Sequence, residues 1–396
     1  MNCPFKRSSQ VLLFVLILWS VTSGCSTITS SGGASAATSV SVSDNGRYVL
    51  SSHRDGKVRL WDIEESTSQQ LDQESNAYAV SLGSSGESAY WQDQAGAVFE
   101  GRSGSPEVIL EGPIFYSLGT SNKEGLLVGS DEGWGIYIYD GEQSSVLREP
   151  VSGSFGGYGK ALNLSVSPDS AYLVTSGFSS PRQYDVDITS QDSGFRDLVG
   201  VVLWDIENKE PIANLPGHGA KTHATFSPDG EWIVSVDENL RGYVWDGRDG
   251  SKRYSLAWLR WGLVIDDDSN GSDQAMSDVK FDRSGQHLTY PEDFPEDFES
   301  FGKIAVKFIS QNYFLTFFIN QRYALLYELG DPFAQKVLDL GARPFPSTGS
   351  YLRNQSIATA PEAGILVTGQ ENGNGINVYR FDEESKQLER IWAPRR

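Results

Sequence analysis

The stretch from Gly217 to Asp246, GHGAKTHATFSPDGEWIVSVDENLRGYVWD, constrains this chain more than any other, because the rest repeats it with variations. Ala224 and Phe226 alternate with polar residues before Ser-Pro-Asp-Gly, Trp232, Val234 and Val236 alternate after it, and Tyr243 and Trp245 close the unit. A period of two broken by Pro-Asp-Gly specifies short antiparallel strands joined by tight turns. No long stretch has the apolar spacing of an amphipathic helix, and 41 glycines and 16 prolines suit a chain of strands and turns.

Similar units recur along the chain. The first has strand-like runs at Ser39 to Val42, Tyr48 to Ser51 and Val58 to Asp62, the last ending on Trp61-Asp62. Others are centred on Tyr78 to Leu110, Phe115 to Leu147, Leu162 to Asp205 and Ser356 to Trp392. Taking Trp61, Phe99, Tyr139, Trp204, Trp245, Tyr327 and Tyr379 as equivalent third-strand anchors gives intervals of 38, 40, 65, 41, 82 and 52 residues. The interval of 82 is the irregular one, with six strand-like runs where one four-stranded unit needs four and two need eight. Seven units with an extra or irregular hairpin between Trp258 and Gly302 is the reading adopted, with eight the alternative. Each unit runs from inner to outer strand in sequence order, so closure would rest on packing between the first and last units rather than on a shared strand.

A Gly-His opening (Gly217-His218) and a Trp-Asp close (Trp245-Asp246), repeated at roughly 40-residue spacing, resemble the WD-repeat family of β-propellers. The resemblance covers nearly all of Val40 to Trp392. It implies an all-β chain forming a single propeller of four-stranded antiparallel blades over residues 39–396, and a non-catalytic platform for protein partners. In that family the histidine hydrogen-bonds through a Ser or Thr to the blade tryptophan, which implies a structural network of His218, Ser235 and Trp245.

Ahead of the repeats, Lys6 and Arg7 precede a short apolar run from Val11 to Trp19 that leads into Val21-Thr22-Ser23-Gly24-Cys25. The apolar run is too short to cross a bilayer comfortably and reads as a signal peptide over residues 1–24. Small residues before a cysteine resemble the lipobox of bacterial lipoproteins, which implies a lipidated Cys25 as the first mature residue. Thr22 stands where leucine is commonest. Ser26 after the cysteine, in place of Asp, favours the outer membrane by the same resemblance. Residues 25–38 then form the anchor and a flexible Ser/Thr/Gly/Ala tether. Cleavage would remove Cys3, leaving no disulfide within one chain.

The formal charge of −20, becoming −22 after loss of Lys6 and Arg7, argues against nucleic acid and for a basic protein partner or a cation. One acidic loop, Asp266-Asp267-Asp268-Ser269-Asn270-Gly271, alternates oxygen ligands before a glycine, which makes Asp266, Asp268 and Asn270 calcium candidates. Ser277 stands at the twelfth position, where a full calcium loop has Glu. No cofactor is otherwise expected. His53, His223 and His287 are isolated in the sequence, and none of the four histidines forms a catalytic spacing.

The long loops are Phe178 to Leu198, Leu259 to Ala275, Pro291 to Gly302, Ser152 to Lys160 and Ala342 to Asn354. They fall at second-to-third-strand and blade-to-blade connections, which open on one face. Tyr184, Asp185, Asp187 and Phe195 in one loop, and Asp293, Phe294, Asp297 and Phe298 in another, place aromatic anchors in a charged rim suited to protein contact. The expected function is a non-catalytic, lipid-anchored outer-membrane scaffold, facing the periplasm, that binds an envelope protein. Two alternatives stay open: an assembly factor resembling the propeller lipoprotein of the β-barrel insertion machinery, and a small-ligand receptor or enzyme using the central channel.

Overall fold

A computed structural model describes residues 36–73, 75, 77, 79–101, 106–121, 125–131, 135–149, 163–177, 200–256, 304–318, 322–342, 344, 356–370 and 375–392. These residues form 28 strands in seven four-stranded antiparallel sheets, each ordered as in the sequence. The first blade comprises β1 (Ala37–Val42), β2 (Tyr48–His53), β3 (Val58–Asp62) and β4 (Thr67–Asp72), and the second β5 (Val80–Leu82), β6 (Ala89–Gln92), β7 (Ala97–Glu100) and β8 (Glu107–Glu111). The third is β9 (Phe115–Thr120), β10 (Leu127–Asp131), β11 (Ile136–Tyr139) and β12 (Ser144–Arg148); the fourth is β13 (Asn163–Val166), β14 (Tyr172–Ser176), β15 (Val201–Asp205) and β16 (Glu210–Leu215). The fifth is β17 (Thr222–Phe226), β18 (Trp232–Asp237), β19 (Gly242–Asp246) and β20 (Lys252–Ser255), and the sixth β21 (Ile304–Phe308), β22 (Tyr313–Phe318), β23 (Tyr323–Glu328) and β24 (Ala334–Asp339). The seventh is β25 (Ile357–Ala360), β26 (Ile365–Gly369), β27 (Ile376–Asp382) and β28 (Gln387–Trp392). The protein is a seven-bladed β-propeller.

Strands β21 to β24 make the sixth blade by themselves, and the extra hairpin expected between Trp258 and Gly302 lies outside the described residues. Strand β1 begins at Ala37, two residues inside the segment read as tether. Ala37 is fully buried because its backbone pairs with His53 and its carbonyl faces the seventh blade.

A single blade buries little on its own, so the core is distributed as seven apolar seams, each between two neighbouring blades. Val234, Val236 and Val244 of the fifth blade meet Phe308, Phe314 and Tyr327 of the sixth. The thinnest described seam, between the second and third blades, buries only Tyr90, Val98, Phe115 and Leu127. The ring closes where Val40, Val42 and Trp61 meet Ile365, Val367 and Val378, and where the Trp61 and Trp392 rings meet edge-on at 5.3 Å. No strand is shared between first and last blades.

The outer edges are managed differently. In every blade the pairing of third with fourth strand carries a register irregularity, as between Val244 and Trp245 or between Leu326 and Tyr327. Such bulges increase local twist and spoil the edge as a template for another sheet. Polar sequences such as Thr67–Asp72 and Lys252–Ser255 on the outer strands act in the same direction.

This order of strands sorts the connections onto two faces. First-to-second and third-to-fourth connections share one face and are all short, from Val42 to Tyr48 or from Asp246 to Lys252, for example. The four longest connections, from Arg148 to Asn163, Ser176 to Val201, Ser255 to Ile304 and Asp339 to Ile357, all leave from and return to the other face.

Closure has a tight point. A Cβ on Gly369 would lie 2.6 Å from the Ala37 carbonyl oxygen, so the backbones of β26 and β1 meet only because that side chain is missing. Gly369→Val should destabilise the fold by about 1–3 kcal/mol, the usual cost of overpacking, read as a lower midpoint in urea unfolding. An unchanged midpoint would show that the ring does not close through this contact.

Candidate functional site

The side chains that hold each blade also decide what chemistry the blades can offer. In the fifth blade, the Trp245 Nε1–H on β19 donates to Ser235 Oγ on β18 at 2.7 Å, and His218 Nε2 lies 2.8 Å from the same oxygen. His218 Nδ1 is 3.5 Å from Asp237 Oδ2, whose carboxylate also accepts the Gly219 and Arg241 amides. The residue types are those of a hydrolytic triad. Here, however, Ser235 and Asp237 are fully buried and the serine oxygen already holds an indole N–H, so the arrangement clamps the blade.

The first blade builds the same clamp with a different donor of the imidazole. Trp61 Nε1 donates to Ser51 Oγ at 2.6 Å, and His53 Nε2 is 2.8 Å from that oxygen. His53 ends β2 opposite Ala37, as Asp237 ends β18 opposite Thr222, so the histidine occupies the aspartate's place. It is isolated in the sequence but not in the fold. The fourth blade keeps only Trp204 Nε1 to Thr175 Oγ1, at 3.0 Å.

The second blade corrects one of the expected anchors. Phe99 does not stand at the tryptophan register; Gly101 does, its amide bonded to the Ala89 carbonyl. The space left by the missing side chain is approached by Trp91 of the second strand, whose Cη2 would lie 3.4 Å from a Cβ at Gly101. Trp91 stacks on Phe99 at 5.9 Å and donates Nε1–H to Asp72 Oδ2.

On the short-connection face a hydrogen-bonded turn repeats. Ser43, Ser167 and Ser227 Oγ donate to the side-chain oxygens of Asn45, Asp169 and Asp229, and accept the amides of Tyr48, Tyr172 and Trp232. Gly46 and Gly230 follow with φ of +70° and +73°, and Ser170 adopts +61° in the same place. These turns are locked by their own side chains, which leaves variation to the opposite face.

The seven inner strands enclose a central cavity of about 290 Å³, whose lining includes Ser41, Ser81, Ser165, Thr225, His223 and Lys307. The inner edge of each sheet carries backbone groups with no fifth strand to pair with, and hydroxyls from neighbouring blades meet several of them. Val80 and Leu82 amides donate to Ser39 and Ser41 Oγ, Thr120 Oγ1 donates to the Leu82 carbonyl, and Ala224 and Phe226 amides donate to Ser176 and Ser165 Oγ. At the mouth on the short-connection side sits Asp44, where burial and the neighbouring Glu362 carboxylate push its pKa up to about 6. His223 is buried and accepts the Val306 amide on Nδ1; burial and the Lys307 ammonium hold it neutral, well below the ordinary histidine range.

The other expected site residues lie outside the described residues: Cys25, the calcium candidates Asp266, Asp268 and Asn270, and the loop residues Tyr184, Asp185, Asp187, Phe195, Asp293, Phe294, Asp297 and Phe298. Lys307 and Asp44 carry no sequence motif and are found only through the register of the inner strands.

The family model described as WD domain, G-beta repeat, matches residues 24–62 and 209–246, which include the three inner strands of the first blade and of the fifth. Ribosome assembly protein 4 of Saccharomyces cerevisiae is 44% identical over 50 residues, covering 12% of this chain and 10% of that protein. The first and fifth blades of the propeller are thus the two that match the WD-repeat model, and the same clamp of Trp, hydroxyl and His occurs in both.

Two measurements address these side chains. Ser235→Ala leaves the Trp245 and His218 nitrogens unpaired and should cost about 2 kcal/mol, while adding Trp245→Phe should cost less than the separate effects predict. Strictly additive unfolding free energies would show that the clamp is not coupled. For Asp44 the folded pKa stands above its ordinary value of 3.8, so ionisation is penalised by folding: the penalty is missing at low pH and complete above the folded pKa of about 6. Asp44→Asn should therefore stabilise by roughly 1–2 kcal/mol near neutral pH, discounted for solvent screening, and not at about pH 3.5. A pH-independent difference between the two proteins would refute this assignment.

Proposed function

We propose that this protein is a non-catalytic scaffold, anchored to the outer membrane through a lipidated Cys25, that captures an envelope protein with its long-connection face. The observation that carries the reading is the sorting of connections: one face is held to short turns closed by Ser, Asp and Asn, while every long connection opens on the other. A rigid ring with one variable face suits recognition by loops held on a fixed frame. The blade clamps favour a structural use of His53 and His218, since the Nε2 of each meets a hydroxyl that also holds an indole N–H.

The yeast relative's name speaks of ribosome assembly. What it has in common with this chain is a single short stretch, and a formal charge of −20 opposes a polyanionic surface, so a protein partner is the better fit. Acidic residues among aromatics on the loops, Asp185 and Asp187 beside Tyr184 and Asp293 and Asp297 beside Phe294 and Phe298, complement a basic patch on that partner.

Crosslinking in intact cells, followed by capture of the tagged protein and mass spectrometry, tests the proposal, with Cys25→Ala as the matched control. A specific envelope protein should be recovered from the anchored form. Charge reversal at Asp185, Asp187, Asp293 and Asp297 should reduce recovery about tenfold or more, as expected for loss of steering and complementary contacts. Equal recovery from the reversed protein would remove the acidic loops from the interface, and recovery of no protein from folded, anchored material would remove the scaffold reading.

A further inference from the structure

The sheet registers align one residue of each inner strand. Ser41, Ser81, Gly119, Ser165, Thr225, Lys307 and Ala358 each pair with the second-strand residue that faces the position just before the third-strand anchor. Each of them lines the central cavity. Four are hydroxyls, two are small, and the seventh is a lysine. Ring order puts the sixth blade opposite the second and third, where the residues at this position are Ser81 and Gly119.

Lys307 has no neutralising partner among the described residues. Among the described residues no carboxylate forms an ion pair with its ammonium, and burial alone pulls its pKa down to about 8. The neighbouring His223 adds a donor and no charge: with Nδ1 occupied by the Val306 amide, its ring proton resides on Nε2. Thr225 and Ser165 carry further hydroxyls in the same wall, 3.4 Å apart. The acids of the cavity stand elsewhere, with Asp44 at the short-connection mouth beside Glu362. The wall around Lys307 is therefore rich in donors. A half-buried cation retained without a partner is costly to the fold, and a bound anion removes that cost.

We infer that the central cavity is a binding site for a small hydroxylated oxyanion of sugar-acid or sugar-phosphate type, with Lys307 as the charge partner and His223, Thr225 and Ser165 as hydrogen-bonding wall. A charge-assisted contact from Lys307 selects the oxyanion, and the hydroxyl ring, able to donate or accept, suits a polyol body of monosaccharide size within about 290 Å³. The proposal does not depend on the envelope reading, since Lys307, His223, Thr225 and Ser165 all lie on inner strands.

The test is calorimetric titration and thermal shift of the full chain with gluconate and with glucose 6-phosphate, and with neutral glucose as control. The wild type should bind at least one of the oxyanions at millimolar concentration or below, and the better of the two identifies which oxyanion the site is built for. Lys307→Thr, which installs the residue found at this position in the fifth blade, should weaken that binding about tenfold or more. Lys307→Met serves the same purpose with the side-chain length kept, and Lys307→Arg should retain binding. Absence of binding by both oxyanions, binding of glucose as tight as theirs, or undiminished binding in the Thr and Met variants would each overturn the site.

Discussion

Each blade of this ring is a sheet with an unpaired edge pointing into the middle of the molecule. Backbone donors and acceptors on that edge cannot be left bare without a cost comparable to a lost hydrogen bond. Much of the inner architecture follows from how they are met. Ser39 and Ser41 serve the second blade, Ser165 and Ser176 the fifth, and Thr120 reaches back to the second. A blade thus depends on its neighbour for polar satisfaction as well as for burial of its apolar faces. The ring should accordingly lose structure cooperatively rather than blade by blade, with the thin seam between Tyr90, Val98, Phe115 and Leu127 as its least insulated joint.

Legibility in the sequence followed how local the governing interaction is. The turns at Ser167-Pro168-Asp169 and Ser227-Pro228-Asp229 are decided within a few residues, and they bound strands where the alternation puts them. Third-strand anchors at Trp61, Trp204 and Trp245 were equally plain, because each indole follows a Leu or Val and precedes an Asp at the close of its unit. Phe99 misled because its blade fills the anchor space from the strand before, a compensation between Gly101 and Trp91 that only register reveals. His53 looked isolated for a related reason: its partner Ser51 is two residues away on the same strand, while the histidine of the fifth blade comes from the segment before its first strand.

The candidate site divides the same way. The blade clamp of His218, Ser235 and Trp245 could be named from residue types and spacing because its members fall within one repeat. The cavity wall could not. Its members lie some 40 to 80 residues apart and become neighbours only when seven strands are brought into register. Lys307 in particular sits in an apolar run, Ile304–Phe308, where one charged residue reads as a strand interruption. Two sets of polar side chains thus share one fold: the clamp ties the strands of one blade together, and the cavity wall ties the inner strand of one blade to that of the next.

The direction in which the chain enters the ring fixes a further relation. Strand β1 starts on the long-connection side, where the Ala36 carbonyl accepts the Arg54 amide of a second-to-third-strand turn. Eleven residue steps separate Cys25 from Ala36, a leash of at most about 40 Å when fully extended. A lipid at Cys25 would therefore moor the propeller from its variable face, close to the axis, like a parachute hung from its centre. The locked turns would look away from the bilayer, and the space open to a captured protein would be the shallow gap between ring and headgroups, whose height the leash sets.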